Sequence, residues 1–213
     1  MTFDVAAESY DRFMGRWSRL LAPQFADLAD IRPGQRVLDV GSGPGALVGE
    51  LVERLGPVKV AAVDPSEPFV AAVRDRYPGV DVRQAAAEAL PFPADTFDAA
   101  FAQLVVHFMA DPVQGLTEMA RVTRPGGVVA ASVWDHGGGR GPHGPFWAEA
   151  LELDPNAVDQ SRLAGARAGH LVELFEAAGI TNITGTELDA SRDFAGFDDW
   201  WRPFTEGVGP AGA

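Results

Sequence analysis

An open, doubly wound α/β sheet, mostly parallel and covered by helices on both faces, is the fold class this sequence predicts. Three observations predict it. From Arg36 onward, short β-rich runs alternate with longer amphipathic ones, the pattern of successive right-handed βαβ units. The first β-rich run breaks into three alternating glycines, Gly41, Gly43 and Gly45, and resumes as a helical pattern. Finally, 213 residues that are 46% hydrophobic and 22% charged can bury a real core as a single domain spanning 1–213.

The elements follow in order. SYDRFMGRWSRLLAPQFADLAD reads as one or two helices that stop at Pro33 and Gly34, so residues 1–33 form an N-terminal helical lid able to cross the top of the sheet. The core, 34–135, begins with the strand RVLDVG. Its first helix is marked by Leu47, Val48, Leu51, Val52 and Leu55, which share one face. KVAAVD is the second strand, and Ser66 is placed to cap the helix after it. VDVRQA and FDAAFAQ are the third and fourth strands. Asp111 and Pro112 supply a cap and a first-turn proline for the helix DPVQGLTEMARV, and GGVVAASVW is the fifth strand. Residues 136–213 are expected to start with a loop, HGGGRGPHGPF. AGHLVELFEAAGI then gives a helix ending at Gly179, and TNITGTELDA reads as a sixth strand.

Composition narrows the function. Thirty acidic against seventeen basic residues give a net charge of −13, which disfavours a broad phosphate-binding surface and points to a small-molecule partner rather than nucleic acid. No apolar run approaches the roughly 18 residues of a membrane span, and the N-terminus lacks the pattern of a signal peptide, so the protein reads as cytoplasmic with no membrane partner. With no cysteine, thiolate metal sites and a cysteine nucleophile are excluded.

A strand that ends in glycines before a helix presents backbone N–H groups and the positive helix end to a ligand. No lysine follows these glycines, which rules out a P-loop. The dinucleotide pattern is formally met by Gly41, Gly43 and Ala46, with Asp64 at the end of the second strand, so an NAD-dependent oxidoreductase stays open on these residues alone.

Four segments in order carry a resemblance. DVGSGPG, AAVDPSE, QAAAEALPF and RVTRPGGVVAASVW resemble the successive motifs of class I, Rossmann-like methyltransferases. The likeness runs from about Tyr10 to Leu188 and is strongest to small-molecule enzymes similar to the ubiquinone and menaquinone C-methylating ones. It implies S-adenosylmethionine as cofactor, S-adenosylhomocysteine as product and a small-molecule methyl acceptor. Gly41, Gly43 and Gly45 would let the backbone pass the methionine portion. Asp64, beside Pro65, would accept from both ribose hydroxyls, a geometry that a carboxylate satisfies. Asp39 would accept from loop N–H groups, or through water from the ammonium, or simply pin the turn. Ala86, Ala87 and Glu88 fall in the adenine-contacting loop, with Ala86 where the family commonly has an aspartate. Gln103 would end the fourth strand near the methyl group. Tyr10 and Arg16 belong to the lid, with Arg16 facing the cofactor's carboxylate.

In such a transfer the protein chiefly aligns acceptor and methyl group. His107 is the candidate base if the acceptor needs one. Asp135, His136 and His143 surround the glycine-rich loop but offer no recognisable ligand spacing, so no metal is expected. Phe146, Trp147, Trp200 and Trp201 are candidates for an aromatic acceptor pocket. The family sheet has seven strands, and only six can be read here, so the seventh is expected to be missing from a truncated or incomplete C-terminal part. A non-catalytic S-adenosylmethionine-binding module is the alternative to an enzyme.

Overall fold

The computed structural model describes residues 7–154 and 160–206. Its sheet has five parallel strands, β1 (Val37–Val40), β2 (Val60–Asp64), β3 (Asp81–Gln84), β4 (Phe97–Gln103) and β5 (Thr123–Ser132), in the order β3-β2-β1-β4-β5. The order reverses direction between β1 and β4, and in such sheets the crevice at the strands' C-terminal ends at that point receives ligands.

Three helices connect the strands: α3 (Ala46–Leu55), α4 (Glu67–Arg76) and α5 (Pro112–Val122). Ahead of them a continuous helical run comprises α1 (Ala7–Tyr10), a π-helical stretch (Asp11–Gly15) and α2 (Arg16–Leu28). Side chains alternate across β1, so that Val37 joins one apolar core with Phe25, Leu47, Val48, Leu51 and Phe101, while Leu38 and Val40 join another with Leu116 and Met119. Burial on both faces is what a parallel sheet requires. The cap at Asp111 is made: its Oδ1 accepts from the Gln114 amide at 3.0 Å. Ser66 occupies the N-cap position of α4, but its side chain makes no capping bond there.

The C-terminal part departs from expectation twice. The glycine-rich segment gives way early to a helix, α6 (Gly144–Leu153), because Pro145 falls in its first turn, where a missing N–H costs nothing. After α7 (His170–Ala177), residues 181–190 form no strand. Asn182 takes a left-handed φ of 58°, which interrupts an extended run at its start, while Ile183 packs against the core beneath α5 and Leu188 against the core beneath α3. No strand follows β5 among the described residues, and β5 is an edge on which Val128 is 40% exposed. The last helix is α8 (Phe197–Trp201). Among the described residues no helix is long and apolar enough to cross a membrane.

Candidate functional site

At the C-terminal ends of β1, β2 and β4 lies a cavity of about 490 Å³. The glycine turn forms its floor. Gly41, Gly43 and Gly45 have φ values of 71°, 52° and 99°, a left-handed backbone that disfavours any side chain. The amides of Gly41 and Ser42 both donate to the Val63 carbonyl at 2.8 and 3.0 Å, which ties the turn to β2. The three glycines differ in what they admit. A Cβ at Gly41 would lie 2.5 Å from Val105, and one at Gly45 2.8 Å from Tyr77, so those two serve protein packing. At Gly43 the nearest neighbour is the Tyr10 ring at 3.7 Å, and both line the cavity. Gly45 does not line it.

Asp64, at the end of β2, accepts from the Gly43 amide through Oδ2 and from the Ser66 amide through Oδ1, each at 2.8 Å. Burial raises its pKa, and the two amide bonds oppose that rise. Each oxygen keeps a lone pair for a further donor. Asp39 projects from β1 with 1% exposure, and its Oδ2 has no partner among the described residues. Burial, with the nearby Asp64 charge, pushes it up to about 8. Gln103 donates to the Ser18 carbonyl at 3.0 Å, which ties β4 to α2, and its Oε1 has no partner among the described residues. Tyr10 leans on Phe69 with ring centroids 5.1 Å apart, and burial raises its phenol above the usual range. Pro65 completes this wall.

Among the described residues the lining carries four acids, Asp11, Asp39, Asp64 and Glu67, and no lysine or arginine. Its remaining walls include Ser18, Leu104, Val105 and Phe108, which sequence reasoning did not single out. Leu104 could not have been found from sequence, since its φ of 62° is a conformation leucine rarely adopts. Gly49 did carry a signal, a glycine inside an amphipathic helix: a Cβ there would meet the Tyr77 hydroxyl at 2.6 Å.

Several expected residues lie elsewhere. The Arg16 guanidinium points away from the cavity, donating to the Asp199 carbonyl at 3.3 Å and lying 5.7 Å over the Phe194 ring. Ala86, Ala87 and Glu88 are absent from the lining; Glu88 Oε1 accepts from the amides of Ala110 and Asp111 at 2.7 and 3.1 Å, which fixes the entry to α5. His107 sits in a short 3₁₀ turn with Nδ1 enclosed and without a partner among the described residues, and burial, helped by His136, lowers it to about 3. A ring that stays neutral to so acid a pH is a weak base. Asp135 is engaged by Arg140 at 2.8 Å, and no cluster of three metal-ligating side chains occurs among the described residues. Phe146 and Trp200 pack on Phe204 at centroid distances of 4.8 and 5.0 Å, while Phe13 stacks on His143 at 4.3 Å, so these aromatics largely cover one another.

Comparison with known proteins agrees with this geometry. Residues 38–131 match the family model described as "Methyltransferase domain". The chain is 41% identical over 101 residues to the ubiquinone/menaquinone biosynthesis C-methyltransferase of Geobacter sulfurreducens, covering 44% of this chain and 40% of that one. It is 29% identical over 212 residues to the demethylmenaquinone methyltransferase of Paenarthrobacter aurescens, covering 87% and 79%. A solved structure of an S-adenosylmethionine-dependent methyltransferase from Thermotoga maritima, described as a possible histamine N-methyltransferase, superposes with a TM-score of 0.53 at 25% identity, covering 81% and 79%. The chain spans 33%, 40% and 39% of the length of the first three curated relatives it matches.

Proposed function

We propose that this chain, a class I Rossmann-like methyltransferase by its fold and by the domain match over residues 38–131, transfers a methyl group from S-adenosylmethionine to a small-molecule acceptor in the cytoplasm. One observation carries the choice of cofactor: among the described residues the glycine-turn cavity has four acidic side chains in its lining, of which Asp11 is ion-paired, and no basic one. A dinucleotide would bring a diphosphate against Asp39 and Asp64, whereas a ligand bearing an ammonium and a sulfonium is attracted by Asp64 and draws Asp39, raised to about 8 in the empty site, back to its charged form.

The residues present fit that ligand. Asp39 Oδ2 is an enclosed acceptor without a donor among the described residues, so an ammonium, directly or through water, supplies what it lacks. Asp64 already fixes Gly43 and Ser66 and retains acceptor capacity for two adjacent ribose hydroxyls. Gly43 allows close backbone approach, Tyr10 and Pro65 enclose the ligand, and Gln103 stands at the β4 side. When bound, S-adenosylmethionine supplies an activated methyl whose departure discharges the sulfonium. The chain's own contribution is to hold that ligand against the negative wall, keep water out with Leu104, Val105 and Phe108, and align the acceptor. His107, lowered to about 3 by burial, is not assigned proton abstraction.

Calorimetric titration tests the reading. S-adenosylmethionine and S-adenosylhomocysteine should bind, and NAD should not. Tight NAD binding with no response to the other two would overturn it.

A further inference from the structure

A second cleft, of about 800 Å³, lies between the N-terminal helical run and residues 192–203. Arg12, Arg16, Arg19, Arg192 and Arg202 line it. Five arginines in one place, in a chain with seventeen basic residues and a net charge of −13, give this cleft an excess of positive over negative side chains, unlike the acidic cavity beside it. Asp11, Asp198 and Asp199 are also in the lining. Asp11 is engaged by Arg19 at 3.2 Å and by Arg76 at 2.6 Å. Asp199 lies 3.9 Å from Arg16. Arg192 and Arg202 form no ion pair with a described residue.

The arginines are arranged as well as numerous. The Arg16 side chain is 10% exposed, a guanidinium set into the cleft's base. Arg16 and Arg192 both lie over the Phe194 ring, at 5.7 and 5.5 Å, which holds two planar forks on one support. Such forks match the paired oxygens of carboxylate and phosphate. On the rim, Phe197 is 66% exposed, an apolar surface for the rest of a ligand. Asp11 lines this cleft and the acidic cavity alike, so the two adjoin.

We propose that the arginine cleft binds the anionic group, carboxylate or phosphate, of the small molecule that receives the methyl group, with the ligand's apolar body running over the Phe197 rim toward the cavity. The proposal rests on the methyltransferase reading above. The recessed position of Arg16 favours a small group entering the cleft over an acidic protein surface resting on it.

Benzoate, phenyl phosphate and uncharged benzamide serve as probes, titrated into the full chain with and without S-adenosylhomocysteine. At least one anion should bind about tenfold or more tightly than benzamide, and its binding should weaken as salt rises from about 50 to about 300 mM. The preferred anion identifies the group recognised. The exposed double variant Arg192→Gln/Arg202→Gln should lower that affinity about tenfold while leaving S-adenosylhomocysteine affinity and melting temperature unchanged. Benzamide binding as well as both anions, or anion binding untouched in the double variant, would overturn the cleft. Loss of the S-adenosylhomocysteine response alone would instead sink the methyltransferase reading, since the anion titration is read independently.

Discussion

Between residues 37 and 122, α3, α4 and α5 each bury a row of apolar side chains against the sheet, whereas α6 and α8 bury none and α7 only Phe175. Apart from Phe175, the later half adds only partly buried apolar residues to the two sheet cores, Leu171, Leu174, Ile183 and Leu188 among them, together with surface ion pairs, such as Arg140 with Glu187 at 3.0 Å and Arg167 with Glu173 at 2.6 Å, and stacked aromatics. Exposed pairs of that kind each contribute about 0 to 1 kcal/mol, far less than a buried leucine. The difference teaches a division of labour. A deeply buried half fixes the glycine turn with Asp39 and Asp64, and a less buried half brings charged side chains to a cleft.

Substitutions in the first half should therefore cost most. Leu51, fully buried between α3 and the sheet, should lose about 2 to 5 kcal/mol of stability as Leu51→Ala in urea denaturation, from lost burial and the cavity left behind. A cost below about 1 kcal/mol would mean the division is wrong. Gly45→Ala follows: with φ at 99° and Tyr77 only 2.8 Å from the new Cβ, it should cost about 1 to 3 kcal/mol.

Asp64→Ala should weaken S-adenosylmethionine binding about tenfold to a hundredfold, the range expected on losing charge-assisted hydrogen bonds. Unchanged affinity in calorimetry would remove Asp64 from the site. Asp39 adds a pH signature. Its carboxyl ordinarily titrates near 3.8 and is pushed up to about 8 by burial, so the folded state holds the proton that the unfolded chain releases. Stability from this group is complete below about pH 4 and is lost as pH rises toward 8. The fall in melting temperature between about pH 5 and about pH 8 should shrink in Asp39→Asn; an identical fall in both proteins would show that another group is responsible.

What could be read from sequence divides along the same line. The run Val37–Gly45, the face formed by Leu47, Val48 and Leu51, and the cap at Asp111 all rest on neighbours within one turn or one strand, so local periodicity reports them. Asp64 was legible because it closes a strand. The absence of a sixth strand was not, because the left-handed backbone at Asn182 that interrupts the run carries no signal in the apolar pattern. Nor was the orientation of Arg16, which is set by Asp199, 183 residues away. The arginine cleft is invisible for that reason: its members come from both ends of the chain and carry no spacing that a motif could record.

The smallest expected effects are the sharpest check on the contrast, because a residue of the same type is compared in the two halves. Leu153, at the end of α6, is 88% exposed, so its side chain has already surrendered little water and has almost nothing to lose. Leu153→Ala should change stability by less than about 0.5 kcal/mol, against the several expected for Leu51→Ala. Gly196→Ala makes the same comparison for backbone: its φ of 170° is extended and a Cβ there meets nothing within 4 Å, so it should match the wild type where Gly45→Ala does not. If Leu153→Ala instead cost as much as a core substitution, α6 would have to be covered in solution, and the later half would be a packed layer whose partner surface supplies the missing burial.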